Sequence, residues 1–146
     1  MNARFLTLLV ALVAAVPFGA SAGQCVPALK GGWVRLGPVA MPVMAGFGRI
    51  ENPCPRPVVV VSVRSAAFGE VSIHESRVVD GVNRMRELSE LPVAPKSSAT
   101  LAPGGLHLML MRPIAPPKEG DKVAVTFRLK DGREVSGELA ARKAVP

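Results

Sequence analysis

Hydrophobic and polar residues alternate along short stretches of this chain, a pattern typical of β-strands with one buried face. The clearest stretch runs from Lys122 to Lys130, where every second residue is hydrophobic: Val123, Val125, Phe127 and Leu129. No stretch shows sustained helical periodicity. The predicted strands are Gly32–Leu36, Ala45–Glu51, Pro57–Arg64, Val71–Ser76, Asn83–Leu88, Ser98–Leu101, Leu106–Met111, Lys122–Lys130 and Glu134–Ala140.

Two Asp-Gly pairs separate neighbouring predicted strands, at Asp80-Gly81 and Asp131-Gly132. Asp-Gly between alternating hydrophobic segments is a strong signal for a two-residue hairpin turn, so we expect a hairpin at each pair. Short strands at regular spacing, with no internal repeat or linker, predict a single all-β domain built as an antiparallel β-sandwich or barrel.

The first 22 residues have the layout of a secretory signal peptide. A basic residue, Arg4, precedes the apolar run Phe5–Val16, and the small-x-small sequence Ala20-Ser21-Ala22 follows. The run is too short for a membrane-spanning helix, which needs about 20 apolar residues. Because Gln24 stands where a lipoprotein has a small residue before its cysteine, we expect cleavage after Ala22 and a soluble exported domain, 23–146.

Cys25 and Cys54 are the only cysteines, and both lie in the predicted exported part. An oxidising compartment permits a disulfide that ties the N-terminus to the turn at Asn52–Pro55. Closing this loop would stabilise the fold by roughly 3 kcal/mol on the chain-entropy model. A redox or metal-binding cysteine pair is the alternative, but it usually has C-x-x-C spacing, and the structural disulfide is favoured.

The chain is basic, with a formal net charge of +7 that becomes +6 without Arg4. Its Lys and Arg residues are scattered, with no long run and no interleaved aromatic residues. Nucleic-acid binding also fits poorly with export. We interpret the charge as ordinary solvation, with docking to an acidic partner protein as the alternative.

The candidate chemistry lies in two histidines and two methionines, His74, Met85, His107 and Met109, spaced as H-x10-M-x21-H-x-M. Imidazole nitrogens and thioether sulfurs, without thiolate or carboxylate, suit Cu(I) better than zinc, calcium or magnesium. The alternative is that the histidines are exposed or hydrogen-bonded and the methionines fill the core. Further residues could shield such a site or simply pack, namely Met41, Met44 and Met111, and Trp33 is expected to anchor the core.

Strand geometry brings these four residues together only in part. A tight turn at Asp80-Gly81 pairs Ser76 with Met85, which makes His74 a diagonal neighbour of Met85 on the same sheet face. In the second segment His107 and Met109 share one face, and the intervening leucines face the core. Contact between the two segments depends on tertiary structure that local patterns do not specify.

With these residues in place, the chain resembles the PCuAC-type periplasmic copper chaperones, whose signature is H-x10-M-x21-H-x-M. Other segments match as well: Trp33-Val34-Arg35, VDGVNRMR, PGGLHLMLM and KEGD. The resemblance covers Gly31 to Leu139. It implies a cupredoxin-like fold and a periplasmic monomer that binds one Cu(I) through the four residues. It also implies a copper acceptor, either a Sco-type protein or the cytochrome c oxidase subunit that carries the CuA centre.

Two departures from the family are visible. Glu75 stands where many members have Met, and the His- and Met-rich C-terminal extension of some members is missing, so a second Cu(II) site is not expected. An enzyme is not favoured either: blue-copper electron transfer needs a Cys thiolate beside two His, and Glu75 would point away from His74 in a strand. A copper-buffering protein and a non-metal interaction domain remain as alternatives.

Overall fold

The computed structural model describes residues 24–144, so the predicted signal peptide and its cleavage site lie outside the described residues. Ten β-strands make up this part of the chain, and none of its residues forms a helix that could cross a membrane. The strands are β1 (Ala28–Leu36), β2 (Val43–Asn52), β3 (Val58–Arg64), β4 (Phe68–Val79), β5 (Val82–Leu88), β6 (Leu91–Val93), β7 (Ser97–Leu101), β8 (Leu106–Pro113), β9 (Lys122–Leu129) and β10 (Glu134–Lys143).

Eight of these strands close into a barrel in the order β4-β8-β7-β2-β1-β10-β9-β3, and β3 then pairs with β4 at Val63 and Val71. The two remaining strands lie outside the ring, β5 beside β4 and β6 beside β3. Most pairs are antiparallel, while β1 and β10 are parallel neighbours and β7 touches β8 in parallel. The prediction of a single all-β domain is therefore confirmed.

The hydrophobic residues at alternate positions of the strands point into the barrel and form its core. In β9 the predicted inward residues Val123, Val125, Phe127 and Leu129 are all buried. In β8 Leu108 and Leu110 are fully buried, and they pack with Val71 and Ile73 of β4 in the same cluster. The inward leucines leave the intervening residues of β8 on the outer face of the barrel wall.

The strand predictions agree with the structure apart from one strand and one turn. β6 was not predicted, because three residues with a central Pro92 show no alternation. Asp80 and Gly81 both have positive φ, 51° and 74°, as the predicted two-residue turn requires. The prediction of a two-residue turn at Asp131-Gly132 is wrong. The Leu129 amide donates a hydrogen bond to the Arg133 carbonyl (2.8 Å), which closes a three-residue loop. Gly132 in this loop has a φ of 90°.

Cys25 and Cys54 form the predicted disulfide, with their Cα atoms 5.5 Å apart. The adjoining turn is held by the buried carboxamide of Asn52. Its Oδ1 accepts a hydrogen bond from the Cys54 amide (3.1 Å), and its Nδ2 donates to the Val93 carbonyl (3.1 Å). The N-terminal segment is thus linked covalently to the β2–β3 connection, which is itself linked to β6.

We expect the double substitution Cys25→Ala/Cys54→Ala to lower the free energy of unfolding by roughly 3–4 kcal/mol, because the bond closes a loop between residues separated by 29 positions. Urea unfolding followed by circular dichroism measures the change. Reduction of the unsubstituted protein should give a similar loss. Equal unfolding midpoints for the oxidised and reduced protein would contradict a stabilising role.

Candidate metal centre

The register of β4 against β8 brings the two histidines face to face. His74 lies directly opposite His107, and their ring centroids are 6.0 Å apart. The neighbouring residues Ile73 and Leu108 point into the core, so the two imidazoles share the outer face of the barrel wall. This spacing leaves room for one ion between the rings, given nitrogen–metal bonds of about 2.0–2.1 Å to histidine.

Both methionines lie on this same face. Met109 is two residues beyond His107 and opposite Ser72, which makes it a diagonal neighbour of His74. Met85 is opposite Ser76, as the hairpin prediction requires, and it is diagonal to His74 on the other side. His107 is 7% exposed, whereas Met85 is 54% exposed. The four residues therefore span the adjacent strands β5, β4 and β8, from an open side at Met85 to a closed side at His107.

His107 is held in one tautomer by the backbone. Its Nδ1–H donates to the Gly105 carbonyl at 2.9 Å, and the same carbonyl accepts a bond from the Ser76 amide. Because a neutral imidazole carries one proton, the other nitrogen, Nε2, is left with a lone pair. A histidine that donates one N–H to a carbonyl and offers its other nitrogen is the usual arrangement in metal sites.

His74 has a buried nitrogen without a partner. Its Nε2 is 2.9 Å from the Ser72 hydroxyl, while its Nδ1 is buried and makes no hydrogen bond among the described residues. With the Nε2 proton donated to Ser72, the lone pair of Nδ1 is free. A buried polar atom without a partner costs free energy, so this position favours a ligand that accepts a lone pair, such as a metal ion.

The surroundings of His74 favour its neutral form, which is the form that binds metal. Burial lowers the pKa of His74 below its ordinary value of 6.5, the carboxylate of Glu87 raises it, and the charge of His107 lowers it. Glu87 lies directly opposite His74 on β5. Since burial is the largest of these effects, His74 stays neutral to a lower pH than a histidine in water.

The donor set favours a soft metal. Across residues 24–144, no three side chains among His, Cys, Asp and Glu gather closely enough to hold a metal ion. Two imidazoles and two thioethers share this face, together with the Glu87 carboxylate opposite His74 and the Met111 thioether further along β8. Imidazole and thioether donors favour a soft ion such as Cu(I). Glu75 lies on the opposite face of β4, where it pairs with Arg77 and Arg86, and these two arginines lower its pKa.

The other candidate methionines lie in different surroundings. Met44 points into the core with 5% exposure, opposite Leu110, and this corrects the expectation that it could overhang the site. Met41 lies in the β1–β2 loop against Gly37. Met111 continues the outer face of β8 beyond Met109 and is half-buried, so it alone of the three shares the face of the histidines.

Trp33 is not a core anchor. Val34 points into the core, so Trp33 and Arg35 face outward, where Trp33 packs on Phe47 with ring centroids 4.7 Å apart. The Arg142 guanidinium lies over the Trp33 ring (4.2 Å), and that of Arg35 lies over Phe47 (5.0 Å). The β2–β8 register pairs Gly46 with Leu108, so the next residues, Phe47 and His107, are neighbours on the outer face.

Three groups around the histidines were not predicted from the sequence: the Ser72 hydroxyl, the Glu87 carboxylate and the Gly105 carbonyl. The positions of Ser72 and Glu87 could have been predicted from the sequence. Ser72 precedes His74 by two residues and must share its strand face, and the Asp80-Gly81 register pairs Glu87 with His74. The sequence does not predict the position of the Gly105 carbonyl, because its direction depends on the local turn at 102–105.

Comparison with known proteins places the chain among lipoprotein relatives. The LpqE-like family model, described as "Putative lipoprotein LpqE-like", matches residues 28–141. A protein of Leifsonia xyli subsp. xyli, "Putative lipoprotein Lxx21020", is 36% identical over 101 residues, which are 68% of this chain and 60% of that protein. The chain thus spans less than two thirds of the length of this relative. Lipid attachment at Cys25 would need a free thiol, and here its sulfur is bonded to Cys54.

The fold is shared with solved PCuAC domains. The copper-bound PCuAC domain from PmoF2 superposes with a TM-score of 0.65 at 22% identity, over 80% of this chain and 92% of that domain. The solution structure of CuI-DR1885 from Deinococcus radiodurans gives a TM-score of 0.65 at 22% identity, over 86% and 85% of the two chains. At this identity the likeness establishes the common fold.

We expect Glu87→Gln to lower the pKa of His74 further, because the carboxylate that stabilises the imidazolium is removed. Proton NMR titration of the metal-free protein measures this pKa. The His107→Gln variant leaves His74 as the one histidine and so assigns its signals. Glu90→Gln removes a carboxylate three residues along the chain that instead binds Lys130, and should leave the titration of His74 unchanged. A raised or unaltered pKa in Glu87→Gln would show that the two side chains do not interact.

Proposed function

The chain belongs to the LpqE-like family, and we propose that it is a metallochaperone that binds one Cu(I) ion outside the cytoplasm and hands it to another protein. The observation that carries the proposal is the facing pair His74 and His107, with one buried imidazole nitrogen lacking a partner and another freed by a backbone hydrogen bond. The fold shared with a copper-bound and a CuI protein supports it.

The proposed ligands are Nδ1 of His74, Nε2 of His107 and the thioether sulfurs of Met109 and Met85. All four are neutral, so the site would carry only the charge of the ion, and soft thioether donors favour Cu(I). Thioethers also do not form disulfides, which suits a protein whose own cysteines are oxidised. Both histidines must be deprotonated to bind, so the affinity should fall in acid.

The proposed location is the bacterial periplasm, which the signal-like sequence at residues 1–22 and the disulfide support. The proposed acceptor is a copper protein with thiolate ligands, such as a Sco-type protein or the oxidase subunit that carries CuA. Thiolate sulfur is a stronger ligand than thioether for Cu(I), which would give the transfer its direction. The family description names a lipoprotein and no catalytic activity, and we propose a carrier without enzymatic activity.

We expect the purified metal-free protein to bind one Cu(I) per chain, and His107→Ala to weaken binding by at least about tenfold, equivalent to about 1.4 kcal/mol. An anaerobic competition titration against a chromogenic Cu(I) chelator measures both. Met109→Leu should also weaken binding, since leucine keeps the volume of methionine but has no sulfur. Met41→Leu is the matched control and should bind like the unsubstituted protein.

Two results of this titration would contradict the carrier proposal. Failure of the unsubstituted protein to compete with the chelator would leave a non-metal interaction domain. Equal weakening by Met109→Leu and Met41→Leu would mean that copper binds to methionines in general and not at this site.

We expect Ser72→Ala to lower the Cu(I) affinity by about 10–100-fold, the range usual for groups that orient a metal-binding histidine. Without the hydroxyl, the His74 ring loses the partner of its Nε2, and the proton can move to Nδ1, the proposed donor. The same titration measures the effect. Ser76→Ala, on the same strand face but without a bond to either imidazole, should have no effect. Equal affinities for the two variants would remove Ser72 from the site.

A further inference from the structure

The end of the β4–β5 hairpin projects from the barrel as a free two-stranded ribbon, residues 77–86. β4 pairs with β8 only as far as Glu75 and Leu106, and beyond that point its one partner is β5. β5 in turn pairs with β4 alone and forms an edge of the sheet. All residues of the ribbon are exposed on both faces. Unpaired strand edges are available for binding by another chain.

The ribbon exposes an apolar tip next to the metal centre. Val78 is 74% exposed and Val82 is 54% exposed, and Val79 lies between them beside the turn. Val78 lies on the same face as the histidines and is a diagonal neighbour of Met85, whereas Val79 and Val82 lie on the opposite face. Exposed apolar groups that adjoin a binding site often mark an interaction surface.

The opposite face of the ribbon has an excess of positive charge. Arg77 and Arg84 are directly opposite each other, an unfavourable pairing of like charges. Glu75 is bound by Arg77 and Arg86, and within residues 24–144 Arg84 has no carboxylate partner. These arginines line, with Glu75 and Val79, a concavity of about 500 Å³ that Met85 borders from the other side of β5. Carboxylates placed there would relieve the repulsion and pair with the guanidinium groups.

We propose that the ribbon is the docking site for an acidic partner protein that takes the copper, a proposal that rests on the carrier function above. Charge complementarity selects this occupant. A second copy of the chain would set arginine against arginine, and Asp80 at the extreme tip opposes insertion into an anionic bilayer. The nearest copper ligand to the docked partner is Met85, the most exposed of the four.

Docking on the ribbon sets the order of ligand exchange. The partner's thiol loses its proton to solvent, its thiolate sulfur bonds to Cu(I), and the bond from copper to the Met85 thioether breaks. Copper remains Cu(I) throughout, and no oxidant or reductant is needed. His74, His107 and Met109 are anchored on the barrel wall; a second thiol of the partner then loses its proton to solvent, its thiolate bonds to Cu(I), and the bonds from copper to these three residues break.

The test compares two peptides as Cu(I) acceptors, each with the same two cysteines, flanked either by Asp and Glu or by Asn and Gln. At low ionic strength, the Cu(I)-loaded protein should deliver copper to the acidic peptide on the order of tenfold faster, because opposite charges steer the encounter. Arg77→Gln/Arg84→Gln should abolish this advantage without changing the Cu(I) affinity. Arg49→Gln/Arg64→Gln, an equal change of charge on other strands, should retain it.

A second measurement separates docking from copper binding. The metal-free protein is titrated with the acidic peptide carrying serine in place of cysteine, and NMR shifts should be confined to the ribbon. If the protein binds no Cu(I) but the shifts appear, the carrier function fails and the docking surface stands. If copper binds but is delivered to both peptides at the same rate, the docking proposal is overturned. It is also overturned if both double variants lose the faster delivery to the acidic peptide. The ribbon would instead be a membrane-binding surface if the protein bound phosphatidylglycerol vesicles, lost this binding in Arg77→Gln/Arg84→Gln, and showed no preference between the peptides.

Discussion

The antiparallel register of β4 against β8 is the constraint on which both the core and the site depend. Side chains alternate between the two faces of a strand, so the register that buries Ile73 and Leu108 also sets His74 opposite His107 outside. A slip of one residue would expose the leucines of β8 and turn its histidine inward. The hydrophobic free energy of the barrel therefore sets the two histidines opposite each other, while the hydrogen bonds to Gly105 and Ser72 orient their rings.

Local sequence patterns predict the pairing within the β4–β5 hairpin and the outward face of β8, but they do not predict that His74 and His107 meet. The Asp80-Gly81 turn fixes the pairing of Ser76 with Met85, and the alternation of Leu106, Leu108 and Leu110 fixes the face of His107, so both were predictable. The pairing of His74 with His107 joins segments far apart in the chain. It depends on how the whole ring of strands closes, through the β3–β4 contact and the parallel β1–β10 pair, and these have no local signal.

The outer face is asymmetric around the histidines. On one side, Trp33 and Phe47, covered by two arginines, close the wall beside His107, and the alternation around Val34 could have indicated their outward direction. On the other side, the wall ends at the ribbon that carries Met85. The flank at His107 is therefore buried, while Met85, a proposed ligand on the other flank, is exposed to solvent. In the proposed carrier, β4 and β8 would hold the ion, and β5 would give a partner access to it.

The oxidising compartment proposed for this chain would give methionine and cysteine separate roles. Where thiols are oxidised, a cysteine contributes most as half of a disulfide, and both cysteines are used in this way, far in sequence from the histidines. A soft ligand that has to stay available under those conditions is a thioether, which binds Cu(I) without forming disulfides. In the proposed site, the two imidazoles would add donors that are already oriented, one by the Gly105 carbonyl and one by Ser72. In the proposed carrier, this combination would hold copper and still allow its transfer to a thiolate.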